Sequence, residues 1–391
     1  MNLHILHTDV QDFITKNLKK DITKLVLKGS RFGNVSIQEI AEQIVAKNKC
    51  EQKLPTWFTQ KTIYYPNKLN IEQTSSEITA QYKSELVSGN VLVDITGGFG
   101  VDSYYFSKTV KNVTYCEINE HLYQIVKYNL KQLNIQNLKT HFGNGLDFLK
   151  NSKEKKDWIY ADPSRRNDLK ERVFLLNDCL PNIPENLTTL FEKSENILLK
   201  ISPVLDISSA INELKFVKEI HIVAVKNDVK ELLFILENGY LGEIAIKTIN
   251  FTTNRNQYFE FIFQDSSFTT YSEPKKYVFE PNAAVLKAGA FYQVAEQLNI
   301  DKLHQNSHLY TSNELIKFPG RRFEIKHCVP YDRKQLKKII PSLKANITTR
   351  NFPETVAQIR KKTKIKDGGN LYLFFTTDIY ENHIVLICEK I

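Results

Sequence analysis

The chain has 391 residues, 42% of them hydrophobic and 25% charged, a globular make-up that excludes disordered and fibrous classes. At roughly 100–200 residues per domain, the length suggests two to four domains. The formal net charge is +9, and residues 325–391 alone carry 13 basic against 6 acidic side chains. An excess of that sign suits a polyanionic partner such as nucleic acid.

No apolar run reaches the roughly 20 residues needed to cross a bilayer. The opening MNLHILHTDVQDFITKNLKK lacks the basic head, apolar stretch and small-residue cleavage site of a signal peptide. A cytoplasmic protein without a membrane span is expected. The five cysteines (Cys50, Cys116, Cys179, Cys328, Cys388) are scattered without a CxxC pair, as reduced thiols would be. The nine histidines show no ligand spacing either, so no metal is expected.

Residues 1–88 read as a helical region. Val10, Phe13, Ile14 and Leu18 recur at helical spacing, as do Ile37, Ile40, Ala41, Ile44 and Val45 behind the candidate caps Asn34 and Ser36. A proline-and-aromatic loop follows, then a helix over residues 75–86 that Ser75 or Ser76 would cap. From 89 to 240 short β-rich runs (91–95, 113–117, 138–142, 157–162, 197–201, 220–225) alternate with helical stretches such as 119–133. That alternation predicts an α/β fold with a doubly wound sheet of six parallel strands. The run 231–237 follows its predecessor too closely for a helical crossover, so it should close the sheet as a reversed strand.

Beyond 240 the rhythm changes. Residues 244–251 and 258–263 suit a hairpin, and 283–298 a helix between β-like segments at 276–280 and 307–311. From 322 the order strand, helix, strand, helix, strand, strand describes a small α+β module. The domains expected are therefore 1–88, 89–240, 241–322 and 323–391.

The stretch VLVDITGGFGVDSYYFS carries the most chemistry. A strand ends in Asp94, turns through Thr96, Gly97, Gly98 and Gly100, and enters a helix near Asp102. Glycines there let the backbone turn sharply and approach a ligand closely. The carboxylates Asp94 and Asp102 would repel a pyrophosphate and suit a cationic ligand bearing an amino group. Glu117 ends the second strand, where a carboxylate can accept both hydroxyls of a ribose. After the third strand come Asn144 and Gly145, with an amide that could pair with an adenine edge. The fourth strand ends in Asp162 and Pro163 at the crevice of the sheet, followed by Ser164, Arg165 and Arg166. Asp162 is the candidate to orient or deprotonate an attacking group, and the two guanidiniums suit a phosphate or a developing negative charge. In the tail, Arg350, Arg360, Lys361, Lys362, Lys364 and Lys366 gather around a helix and a Gly368–Gly369 turn, more cations than a helix dipole calls for.

On these motifs the sequence resembles the class I S-adenosylmethionine-dependent methyltransferases, with Thr96 where many members have glycine and Asn144 where many have aspartate. Asp-Pro-Ser-Arg-Arg occupies the place of the Asp/Asn-Pro-Pro-Tyr type motif of nucleic-acid methyltransferases, without its aromatic. More narrowly, the tract from LPTWFTQKTIYYPNKLN through DITGGFGVD, YADPSRR, KISPVLDIS, FEPNAAVLKAG and FPGRRFEI to RNFPETVAQIRKKTKIKDGGNLYLFFTT is similar to the bacterial THUMP-like-domain methyltransferases over about 330 residues. The resemblance implies a helical N-terminal part, a class I methyltransferase domain, a ferredoxin-like insert and a C-terminal THUMP-like module. It further implies S-adenosylmethionine held by Asp94, Thr96, Gly98, Gly100, Asp102, Glu117, Asn144 and Gly145. Asp162, Pro163 and Arg165 would line the acceptor side, and Arg166 with the six tail cations would contact RNA, transfer or ribosomal. A protein or small-molecule acceptor, or a non-catalytic RNA-binding role, are the rival readings.

Overall fold

The computed structural model describes residues 1–165 and 175–391. The chain divides into two compact units, residues 1–218 with 233–241, and residues 219–232 with 242–391. Among the described residues no helix is long and apolar enough to cross a membrane.

In the first unit the N-terminal part is helical: α1 (Thr8–Lys16), α2 (Ile22–Leu27), α3 (Ile37–Lys53), α4 (Pro55–Thr59), α5 (Lys68–Gln73) and α6 (Glu77–Glu85). Ser36 opens α3 with a capping box to Glu39, and Ser76, rather than Ser75, caps α6. The stretch expected as a loop carries α4 and α5 at its ends and has no helix or strand between 60 and 67, where two buried amides take up the backbone of Tyr64 and Tyr65. The Gln43 and Asn129 side chains each donate to and accept from one residue's backbone, Gln43 at Tyr65 and Asn129 at Tyr64.

The sheet of this unit comprises β1 (Val91–Asp94), β2 (Asn112–Glu117), β3 (Leu138–Phe142) and β4 (Lys156–Ala161), then, beyond the short pair β5 (Ser164–Arg165) and β6 (Cys179–Leu180), β7 (Ser194–Ile201). Strand order is β7-β4-β1-β2-β3, all parallel. The helices α7 (Val101–Thr109), α8 (Glu120–Gln132), α9 (Gly145–Asn151), α10 (Ile183–Lys193) and α11 (Ile207–Glu213) connect or flank these strands. The N-terminal helices do not keep a core of their own. Trp57, buried to 1% exposure, packs edge-on against Tyr104 of α7 at 4.8 Å, and the same cluster continues to Ile125 and Val126 of α8.

Next come β8 (Val217–Val225) and β9 (Asp228–Glu237), a hairpin turned by Lys226 and Asn227. Both turn residues have positive φ (52° and 64°), as the twist of a two-residue hairpin requires. In the strand order β9 lies between β8 and β7. The reversed closing strand is thus where its short connection puts it.

In the second unit β10 (Ala245–Phe251) and β11 (Gln257–Ile262) form the expected hairpin, but β10 also pairs in parallel with β8 and extends that sheet. A second, seven-stranded sheet has β12 (Tyr277–Pro281), β13 (Asp301–Lys302), β14 (Tyr310–Ser312), β15 (Gly320–Pro330), β16 (Asn346–Arg350), β17 (Leu371–Thr377) and β18 (His383–Lys390) in the order β13-β14-β12-β15-β18-β17-β16. The single helix expected over 283–298 is two, α12 (Ala283–Ala288) and α13 (Phe291–Leu298), because Gly289 takes a left-handed φ of 71° and ends the first. Helices α14 (Arg333–Ile339) and α15 (Val356–Thr363) bury Leu336 and Ile359 with Leu373 and Phe375. Phe323, Phe374 and Leu386 form a second cluster with Val278 and Leu309. Phe374 is therefore a core residue, and Tyr372 packs against Phe323.

Candidate functional site

The site candidates of the first unit collect at the carboxyl ends of β1, β2, β3 and β4, four adjacent parallel strands. Backbone hydrogen bonds lock these ends together. The Gly98 N–H donates to the Glu117 carboxylate at 2.8 Å, the Gly143 N–H donates to the Glu117 carbonyl at 3.0 Å, and the Asp162 N–H donates to the Thr96 hydroxyl at 2.7 Å.

The glycines of the turn have separate duties. A Cβ on Gly97 would sit 2.1 Å from the Tyr115 ring, and one on Gly145 would sit 2.4 Å from the Ile95 carbonyl, so both allow close packing of neighbouring elements. Gly100, with φ 74°, starts α7 and faces Val126. Gly98 differs: its φ is 55°, yet the nearest atom to an added Cβ is 3.8 Å away. That side of the turn is open for a ligand to approach.

Glu117 stands beside it. Its Oε2 takes the Gly98 N–H and its Oε1 the Asn119 N–H at 2.7 Å, leaving a lone pair on each oxygen for further donors. Burial raises its pKa above the ordinary value, against the pull of the N–H groups of Asn119, Gly98 and Ile118. Ile118 is 69% exposed immediately after it, an apolar side chain that no sequence motif singles out. Its one signal is its place after the acidic residue.

Asp94 and Asp102 are both buried, but their pKa values are shifted in opposite directions. The Asp94 carboxylate accepts from Ser103 Oγ at 2.5 Å and from the Thr96 N–H at 3.0 Å. Burial, with Asp102 and Asp162 nearby, pushes its pKa up to about 7 despite those two donors. Burial also penalises Asp102, yet Lys83 first, then Lys200, Tyr160 and Ser75, hold its pKa below the ordinary value. Lys83 Nζ lies 3.2 Å from Asp102 Oδ1, while Ser75 Oγ (2.9 Å) and the Tyr160 hydroxyl (2.7 Å) donate to Oδ2. Asp102, expected to face a cationic ligand, is thus engaged by the protein's own lysine. Lys83, Ser103 and Tyr160 have no motif to mark them; only burial beside the carboxylates does.

Asn144 is the N-cap of α9, its Oδ1 accepting from the Leu146 and Asp147 N–H groups, which leaves its amide NH2 as the part able to read a ligand. A cavity of about 420 Å³ is lined by Asn144 itself with His141, Gly143, Asp147, Phe148 and Asn151, without Glu117 or the glycine turn. Asp162, at the end of β4, is half-buried and forms an ion pair with Lys200. Asp206 caps α11, its side chain accepting from the Ser209 N–H at 2.9 Å. Arg165 is placed by its backbone in β5, and Arg166 lies outside the described residues. No group of three or more His, Cys, Asp or Glu able to hold a metal occurs among the described residues.

The tail cations separate into two kinds. Arg350 pairs with Glu280, Lys362 with Glu354, and Arg360 with Asp367 and the Ala345 and Ile365 carbonyls. Those three already hold partners on the protein itself, which spacing along the chain could not disclose. Lys361, Lys364 and Lys366 are exposed.

Two domain families match: "THUMP domain-like" over residues 320–390 and "ferredoxin-like domain" over 277–319. Curated proteins return no match. Among solved structures, one described as "putative methyltransferase from Porphyromonas gingivalis W83" is 30% identical, covers 99% of this chain and 98% of its own, and superposes with a TM-score of 0.87. An rRNA methylase from Streptococcus thermophilus (16% identity, 42% of this chain and 98% of that one, TM-score 0.31) is a distant likeness. TrmK of M. capricolum, solved with S-adenosyl-homocysteine, is another (18%, 41% and 69%, TM-score 0.32). With the Porphyromonas protein matched end to end and both C-terminal domains recognised, the chain belongs to the THUMP-like-domain methyltransferase family.

Proposed function

We propose that the protein is an S-adenosylmethionine-dependent methyltransferase acting on a nucleotide in structured RNA, transfer or ribosomal, with the THUMP-like module docking the RNA. The observation that carries this reading is the linkage of the open Gly98 turn and Glu117 to Asp162 through Thr96. It supports a donor site and an acceptor site on adjacent strand ends.

The residues fit the donor. Glu117 has lone pairs for two ribose hydroxyls, Ile118 offers an apolar surface to a base, and the Asn144 amide can reach a base edge. Gly98 keeps the turn clear for the amino-acid end, while Gly100 packs against Val126 to start α7, with Asp94 behind them. When bound, the donor supplies a methyl group already activated by a sulfonium, so the chain's own task is positioning. Asp162, steadied by Lys200 and stiffened by Pro163, holds the acceptor and takes the proton it loses. Arg165 and Arg166 follow at the same rim. RNA as the acceptor is supported by the THUMP-like match and by the basic excess of residues 325–391.

The test is incorporation of labelled methyl groups into total cellular RNA from a strain lacking the gene, with and without purified protein. Label in one RNA size class, abolished by Asp162→Ala, is expected. Donor binding by calorimetry without label in RNA would redirect the search to protein or small-molecule acceptors. Absence of donor binding would sink the enzyme reading.

A further inference from the structure

Three motifs of the second unit, FEPN, GRRF and TTRN, lie far apart in sequence and meet at one carboxylate. Glu280 of β12, with 3% of its side chain exposed, accepts from Arg350 Nη2 at Oε1 (2.6 Å) and from Arg321 Nε at Oε2 (2.6 Å), with Arg321 Nη2 also in contact. Arg321 sits opposite Glu280 on β15, whereas Arg350 ends β16, at the far edge of the sheet order.

One buried carboxylate needs one bidentate arginine to be neutralised. Here it holds two, so the cluster carries a surplus positive charge, and both guanidiniums remain about one-third exposed (37% and 36%). Arg350 spends a further donor on the Thr349 carbonyl, and Arg321 lies over the Phe323 ring at 5.5 Å. Each guanidinium has five N–H donors, so both retain donors beyond those spent on Glu280 and Thr349. Two planar guanidiniums fixed on the two oxygens of one carboxylate, with residual charge and open donors, suit a phosphate.

We propose that Arg321 and Arg350, held by Glu280, form a phosphate-binding fork that takes a phosphodiester of the RNA backbone. Its anion chemistry stands on the fork alone; RNA as the source rests on the function proposed above. Glu280 is the positioning residue.

The experiment follows the arginine Nε–Hε signals of the full-length protein by NMR during titration with inorganic phosphate, and in parallel with a transfer-RNA fraction. Saturable shifts of the Arg321 and Arg350 signals with phosphate are expected. R321K and R350K, which keep the charge but lose the fork, should each weaken binding of the RNA by about tenfold, with thermal melting as the control for folding. Phosphate-dependent shifts without any RNA binding would keep the fork and remove RNA as its ligand. Unmoved arginine signals at tens of millimolar phosphate would overturn the proposal and leave the cluster as a strand-joining ion pair.

Discussion

Lys83 Nζ lies 3.2 Å from the Asp102 carboxylate, and neither side chain is open to solvent beyond 11%. The pair joins helix α6 of the N-terminal part to the first turn of α7, directly behind the glycine turn. A helical segment that could pass for an appendage therefore supplies the countercharge of the methyltransferase domain.

Removing that countercharge strands a buried carboxylate. Lys83→Met should cost about 3–5 kcal/mol in urea unfolding, and adding Asp102→Asn should restore most of it. The depressed pKa of Asp102 means its contribution is present above the ordinary value near 3.8 and is lost as pH falls through the lower folded value. A Lys83→Met loss below about 1 kcal/mol would show that the pair does not matter to the fold.

Asp94 has the opposite sign. Its pKa in the fold is about 7 against an ordinary 3.8, so the folded state holds an extra proton between roughly pH 4 and 7. The stability this adds is complete below about pH 4 and disappears as pH rises through 7. Wild type should therefore lose urea midpoint relative to Asp94→Asn between about pH 5 and pH 8. A constant difference across that range would contradict a protonated Asp94.

Two adjacent glycines should fail in different ways. Gly97→Ala drives a methyl group into the Tyr115 ring and should cost about 3 kcal/mol of stability or more. Gly98→Ala meets no neighbour and suffers only from its left-handed φ of 55°, about 1 kcal/mol. Its larger effect should be on donor affinity in calorimetry. Equal affinities for Gly98→Ala and wild type would move the donor away from this turn.

Asp162→Ala should lower turnover about a hundredfold, within the range for a lost general base, while donor Kd changes less than about threefold. Lys200→Met should follow it in turnover, since the lysine acts through the aspartate. Parallel loss of turnover and donor affinity would place Asp162 on the donor side.

For RNA binding, replacing Lys361, Lys364 and Lys366 together by alanine should flatten the dependence of log K on log salt by about two to three, roughly one unit for each phosphate that is no longer neutralised. Arg360→Ala should show itself in thermal melting instead, because its guanidinium binds the Ala345 and Ile365 carbonyls. An unchanged salt slope in the triple variant would exclude these lysines from the interface.

Much of the architecture is legible along the chain because its signals are local. Hydrophobic alternation, the short 226–227 connection and the glycines after Asp94 act within a few residues, and they suffice to specify parallel strands, a reversed closing strand and a ligand turn. Even Gly289, which divides the helix expected over 283–298, is a local effect that periodicity alone masks. The same locality puts Asp94, Gly98, Glu117, Asn144 and Asp162 at neighbouring strand ends.

What only tertiary structure decided is which charges are already spent. Asp102 and Glu117 are both acidic residues beside a strand or helix end. One is engaged by Lys83, Tyr160 and Ser75, while the other keeps lone pairs beside the open face of Gly98. Arg360 and Lys361 are adjacent cations of one tail, yet one is fixed by the Ala345 and Ile365 carbonyls and by Asp367. Electrostatic partners are chosen by distance through space and by burial, so no spacing along the chain distinguishes a charge held by the fold from one left for a ligand.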